Sequence, residues 1–199
     1  MIRFLVYSIC LFGLFSCKSY QPVSKFIDKE QVVENVYFSD LDKEYTYAIS
    51  VSAYKHFVSG ILVVKAIDNN SHRVLMVTEF GNTLLDLTVT PFGYTKNYAM
   101  PDLDKKIILN LLSHDFFTLL HNNWLSTGFY EQNSSSIYKA QIKNKNYFLT
   151  YVNKELQQIE YARKKKKLQI NFEVVNQNQA EKISLKHSNL DIKIELSSL

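Results

Sequence analysis

The stretch from Asp102 to Asn122, DLDKKIILNLLSHDFFTLLHN, most constrains what this chain can fold into. Leu103, Ile107, Ile108, Leu111, Leu112, Phe116, Leu119 and Leu120 recur at the spacing that lines one face of an α-helix. Pro101 followed by Asp102 predicts the start, because an Asp carboxylate accepts from the free N–H groups of a first turn. Asp104 adds negative charge near the positive end of the helix dipole, and His121 lies near the negative end. This is the one long helical pattern in the chain. Nearly everything on either side alternates like strands. One apolar helix among many strands needs a sheet to lie on, and that sheet must curve to hold it.

The strand pattern begins near Val36. Tyr45, Tyr47, Ile49, Val51 and Ala53 alternate with smaller or polar residues, as in a half-buried strand. His56 to Ile67 is apolar on both faces around Gly60, which predicts a buried strand with a bulge or bend. Turn residues at Asp68–Ser71, Phe80–Asn82 and Pro91–Gly93 separate the next strands. Trp124 to Asn133 reads as a loop. Strands resume from Ile137, with clean one-faced patterns at Leu168, Ile170, Phe172 and Val174 and at Leu190, Ile192, Ile194 and Leu196. The predicted fold class is mainly β (α+β): about eleven strands in an antiparallel meander around one central amphipathic helix. A sheet of that length curls as its twist accumulates. Helix and sheet either fill each other completely or leave a cleft lined by aromatic and aliphatic side chains.

Length and composition narrow the function. A chain of 199 residues suits one domain with a real core. The net charge of +4 favours an anionic membrane surface slightly and gives no reason to expect nucleic acid. Both cysteines, Cys10 and Cys17, lie at the start, so the body has no thiol for a disulfide framework or a metal. The five histidines show no metal spacing. Ser134–Ser136 lacks the Gly-x-Ser-x-Gly setting of a nucleophile, and no phosphate loop or dinucleotide fingerprint occurs. The expectation is a protein that is not an enzyme and needs no cofactor.

Residues 1–16 have the layout of a secretory signal, with Arg3 ahead of a short apolar run. The run is too short for a comfortable membrane span. Leu14-Phe15-Ser16-Cys17 resembles the bacterial lipobox. That resemblance implies acylation of Cys17, with palmitate-like chains as a firm membrane anchor. An ordinary cleaved signal peptide or an anchor helix is the alternative. Residues 17–35 then read as the lipidated cysteine and a tether, with a helical turn near Lys29 to Val33. Residues 36–199 form a single domain. Lys18, in place of the Asp that resembles an inner-membrane retention signal, leans toward the outer membrane.

The Gly60–Lys65 pattern G-x-L-x-V-K, the stretch Val77–Leu87 (VTEFGNTLLDL), and the helix and strands that follow resemble the LolA/LolB-like lipoprotein-carrier superfamily. The lipobox makes the membrane-anchored LolB side the nearer likeness. The resemblance implies an incomplete antiparallel β-barrel plugged by helix, whose apolar cleft takes lipoprotein acyl chains. It implies a LolA-like periplasmic carrier as partner and a monomer lipid-anchored at the outer membrane, facing the periplasm. It also implies a role in membrane insertion for Phe80 before Gly81, although the family's usual Pro-Leu-Gly is here Glu79-Phe80-Gly81. A hairpin Phe80 folded back on the core is the other reading, and Phe92 is a second candidate. Arg163, Lys164, Lys165, Lys166 and Lys167 form either a solvated turn or a contact for anionic headgroups or an acidic partner. A binding or accessory lipoprotein with different cargo on the same fold is the alternative function.

Overall fold

Alternating side chains along the chain build one antiparallel sheet. The computed structural model describes residues 20–132, 134–176 and 179–199; the expected signal segment and the lipobox Cys17 lie outside them. Thirteen strands occur among the described residues: β1 (Phe26–Glu34), β2 (Glu44–Ala53), β3 (His56–Asp68), β4 (Ser71–Val77), β5 (Thr83–Thr90), β6 (Gly93–Ala99), β7 (Asn123–Gln132), β8 (Ser135–Ile142), β9 (Lys145–Val152), β10 (Glu155–Ala162), β11 (Lys166–Asn176), β12 (Gln179–His187) and β13 (Ile192–Ser198). The helix α1 runs Lys106–Leu120, and a 3-10 turn spans Val36–Phe38.

The strand order is β1-β7-β8-β9-β10-β11-β12-β13-β2-β3-β4-β5-β6. The chain therefore starts one meander in the middle of the sheet at β2 and runs it to the β6 edge. Helix α1 then returns the chain to the far side, and β7 to β13 run back until β13 pairs with β2. β1 adds outside β7. β1 and β6 are the two ends of this order, so the sheet is open and forms an incomplete barrel. Contacts of α1 with β5, β6 and β10 place it in the concave face.

Period-2 patterning decides which face is inside. In β2, Tyr45, Tyr47 and Ile49 are buried, opposite Val64, Leu62 and Gly60 of β3. Ile170 and Phe172 of β11 face Leu185 and Ile183 of β12, Leu168 is paired opposite His187, and all five apolar residues belong to the same core cluster. The helix supplies Leu109, Leu112, Phe116, Phe117, Leu119 and Leu120. Burying side chains such as Phe38, Phe116 and Leu119 stabilises the fold by about 1.5–3 kcal/mol each. The cluster draws on residues from Val33 to Leu196.

Several expectations change. The stretch read as a tether contains β1, and the residues given a helical turn are strand. The chain is a 3-10 turn at Val36, where strands were expected to begin. Trp124–Gln132, expected as a loop, lies in β7, with Trp124, Ser126 and Tyr130 buried and Leu125 and Phe129 on the opposite side. β1 and β7 are the two strands that raise the count from eleven to thirteen, and each is the other's neighbour. Gly60 makes no bulge in the β2–β3 pairing. Its value is close approach: a Cβ there would stand 2.1 Å from the Val77 carbonyl oxygen.

The helix begins at Lys106, later than the Asp102 start. The Met100 carbonyl accepts from the backbone N–H groups of Leu103 and Asp104, at 2.9 Å each, which holds a turn there. Asp104 is drawn out to Lys96, with Nζ at 2.7 and 2.8 Å from its carboxylate oxygens. Lys105 is the N-cap and makes no side-chain capping bond. At the other end His121 does not offer a cation to the dipole, because burial pushes its imidazole down to about 4.

That depression sets a pH dependence. His72 is shifted the same way by burial. Between pH 6.5 and about 4 the folded state binds fewer protons at His121 than the unfolded chain does. Stability is full above that window and is lost as pH falls through it. The expected loss from His121 is on the order of 3 kcal/mol. Urea midpoints from pH 7 downward measure it, and His121→Gln should flatten that part of the profile.

Candidate functional site

The two halves of α1 are held differently. From Leu112 to Leu120 every residue except His114 is buried. The N-terminal half is poorly covered: Ile107 is 79% exposed, while Ile108 and Leu111 are half-buried. Ile107 therefore leaves the predicted buried face, Leu109 takes up core packing in its place, and Phe117, absent from the predicted face, is buried as well. Leu103 packs on the core from the turn before the helix.

A cleft opens on each side of this exposed half. One, of about 320 Å³, is walled by Ile107, Leu111, Tyr161, Leu168 and Leu190. The other, of about 520 Å³, lies between the β5–β6 turn and the β8–β9 turn, with Phe92, Tyr94, Phe117, Ile142 and Tyr147 in its walls. Asn110, His114 and Lys145 line both. A third cleft of about 800 Å³ lies beside β1, with Val33, Tyr37, Tyr138, Tyr151 and Leu156 mixed with Gln31, Glu34, Lys154 and Glu155. All three fall in the size range of small-molecule sites. Trp124, Tyr47, Phe116 and Leu119 are fully buried in the centre of the fold.

A buried polar cluster forms the floor of the smallest cleft. Asp115 is fully buried, and His187 Nε2 donates to its Oδ2 at 2.7 Å. This joins α1 to β12. His114 Nε2 lies 3.2 Å from the Tyr147 hydroxyl, and burial raises the pKa of that phenol. Oδ1 of Asp115 has no hydrogen-bond partner among the described residues. No hydroxyl or thiol is bonded to His187 among the described residues. No group of three or more metal-ligating side chains occurs among the described residues.

Cations gather at the cleft mouths. Lys106, Lys143 and Lys145 line the larger of the two helix-side clefts, and Lys145, Arg163 and Lys167 the smaller. The Lys145 ammonium is pushed below its usual pKa by burial, and next by the charges of Arg163 and Lys143. The sequence run Arg163–Lys167 is thus divided. Arg163, Lys164 and Lys165 are exposed in the β10–β11 turn. Lys166 is ion-paired with the buried Glu160 and lies over the Tyr20 ring. Lys167 lines the cleft. The grouping with Lys143 and Lys145 was not readable from the run itself, since it depends on the β9–β10 pairing that sets Asn146 opposite Ala162.

Phe80 stands 92% exposed at the tip of the β4–β5 turn rather than folded onto the core. Gly81 follows with φ +84°, a conformation that favours glycine, and its N–H donates to the Thr78 carbonyl at 2.9 Å. Phe92 is 87% exposed in the β5–β6 turn.

No family model matches the chain, and no curated protein does. Among solved structures it is similar to a LolA superfamily protein from Nitrosomonas europaea, at 8% identity over 77% of this chain and 82% of that one, with a TM-score of 0.48. It is also similar to a DUF1329 family protein from Desulfovibrio piger, at 9% identity over 77% and 82% of the two chains, TM-score 0.44. A candidate outer membrane lipoprotein-sorting protein domain from Vibrio parahaemolyticus matches at 8% identity over 78% and 82%, TM-score 0.42.

Asp115→Ala should destabilise the fold by roughly 3 kcal/mol, because it leaves the buried His187 without its acceptor. Adding His187→Leu should recover part of that loss. Urea melts of the two variants check this.

Proposed function

We infer that this chain is a lipid-anchored envelope protein that binds acyl chains beside the exposed half of α1 and helps place acylated cargo at the outer membrane. One observation carries the reading. Apolar residues Ile107 and Leu111 of an otherwise packed helix open onto a cleft walled by Leu168, Leu190 and Tyr161, with cations at its mouth. That arrangement suits an amphiphile, with its chain along the apolar wall and its anionic end near Lys145 and Lys167. The lipobox-like Cys17 and the LolA/LolB-like motifs support an envelope address and lipoprotein cargo. In this reading the acyl chain passes from a periplasmic carrier to the cleft and then to the bilayer. Each step exchanges one apolar setting for another, so no nucleotide is required. The exposure of Phe80 before Gly81 supports an apolar contact at that tip.

The burial of Trp124, Tyr47, Phe116 and Leu119 in the centre of the fold favours a second reading, an accessory lipoprotein that binds no acyl cargo. A transfer assay separates the two. Residues 18–199 contain every position of the core cluster and are mixed with a periplasmic carrier loaded with an acylated lipoprotein. Transfer is expected, and Leu111→Asp should weaken it at least tenfold by placing a charge on the apolar wall. A folded protein that takes no acylated cargo would overturn the carrier reading in favour of the accessory one.

A further inference from the structure

We propose that the protein sits on an anionic bilayer through the rim formed by Lys143, Lys145, Arg163 and Lys167, with Phe92 and Ile107 entering the interface beside them. The rim is continuous. Nζ of Lys143 lies 5.7 Å from the centre of the Phe92 ring, Lys145 lines both helix-side clefts, and Arg163 and Lys167 line the one that contains Ile107. Among the described residues the only carboxylate lining either cleft is Asp115, which is fully buried and bonded to His187. Burial first, and then the charges of Arg163 and Lys143, push the Lys145 ammonium below its usual pKa. Phe92 and Ile107 are two of the most exposed large apolar side chains among the described residues. Cations beside exposed apolar residues suit a bilayer better than an acidic protein surface, because headgroups meet the former and the acyl boundary the latter.

The chain's own beginning points to the same rim. The Tyr20 backbone N–H donates to the Arg163 carbonyl at 3.1 Å, and the Tyr20 ring packs edge-on against Phe148 at 5.4 Å. Cys17 is three residues earlier, within about 10 Å of chain even when fully extended. An acyl anchor at Cys17 therefore holds the Arg163 turn at the membrane surface; this direction rests on the lipidated reading of Cys17, whereas the charge argument does not. Phe80 and Phe92 project from opposite ends of β5, a strand of 8 residues and so about 26 Å long. Docking through Phe92 leaves Phe80 turned away from the bilayer.

The test uses residues 18–199, which lack the anchor, with mixed phosphatidylcholine–phosphatidylglycerol vesicles and with phosphatidylcholine alone. Flotation should show binding to the anionic vesicles that weakens with salt. The triple variant Lys143→Gln, Lys145→Gln and Lys167→Gln should bind on the order of a hundredfold less, from roughly fivefold per cation. Lys29→Gln, Lys43→Gln and Lys154→Gln together remove the same charge away from these clefts and should leave binding unchanged. Equal losses in the two triple variants would overturn the proposal in favour of bulk charge. Phe92→Trp should shift its emission to the blue on vesicle binding, against the constant background of the buried Trp124, while Phe80→Trp should not. A shift at position 80 alone would overturn the assigned rim. Leu111→Asn, which adds no charge to the rim, should weaken acyl uptake with vesicle binding retained, so failure of the docking surface and failure of the acyl-binding reading give different results.

Discussion

An antiparallel sheet with one apolar face and two unpaired edges must bury that face against something, and here α1 meets the requirement. Thirteen strands twist enough to curl around a single helix, yet β1 and β6 do not pair with each other. A closed barrel of this apolar content would hide its interior completely. The open one exposes part of whatever plugs it. Because α1 connects the β6 edge to β7 next to the β1 edge, the plug is also the covalent link between the two halves of the meander. The clefts along the helix follow from that topology and need no special insertion in the chain.

Polar chemistry fixes where the helix sits along the groove. A hydrophobic face alone tolerates sliding, since Leu112, Phe116 and Leu119 could exchange one apolar neighbour for another. The Asp115–His187 bond cannot slide without leaving a buried donor and acceptor unmatched. Asn35 adds a second tie, its side-chain amide donating to the Leu119 carbonyl at 2.7 Å while its backbone N–H donates to the Asn122 carbonyl at 2.8 Å. Both ties act on the middle and end of α1, and neither reaches Ile107. The exposed half is therefore the part held least by directional bonds.

The sequence made the central strands legible because their inward residues are large and apolar and their outward ones are not, as in Leu168, Ile170 and Phe172. It hid β1 and β7 for a physical reason. Val33 is the one buried residue in β1, so that strand carries almost no alternation to detect. In β7 the inward set includes Ser126 while Leu125, 62% exposed, faces out, which mixes the signal. β1, at the sheet edge, is placed by pairing with β7 more than by any pattern of its own. The Asp102 start failed for a related reason: Lys96, on a neighbouring strand, competes for Asp104, and Met100 holds the chain in a turn. Ile107 fits the helical period but opens onto a cleft instead of packing against the sheet, and periodicity does not report where packing gives way to a cleft.

The candidate site shows the same division between local and long-range information. Five consecutive cations at Arg163–Lys167 are visible in any reading of the chain, but their meaning depends on strands that the run does not contain. Glu160 takes Lys166 away from the surface, whereas β9 brings Lys145 to the rest. Like charges held together at a mouth cost free energy unless an anion or an anionic surface offsets them. Three strands paired up to the turns at that mouth, with Ile142 opposite Lys145 and Ala162 opposite Asn146, keep those turns from splaying apart. Lys145 is thus held by the sheet beside Arg163 and Lys143, and the same rigidity keeps Phe92 and Ile107 next to the cations, where a charged interface has both of its contacts ready.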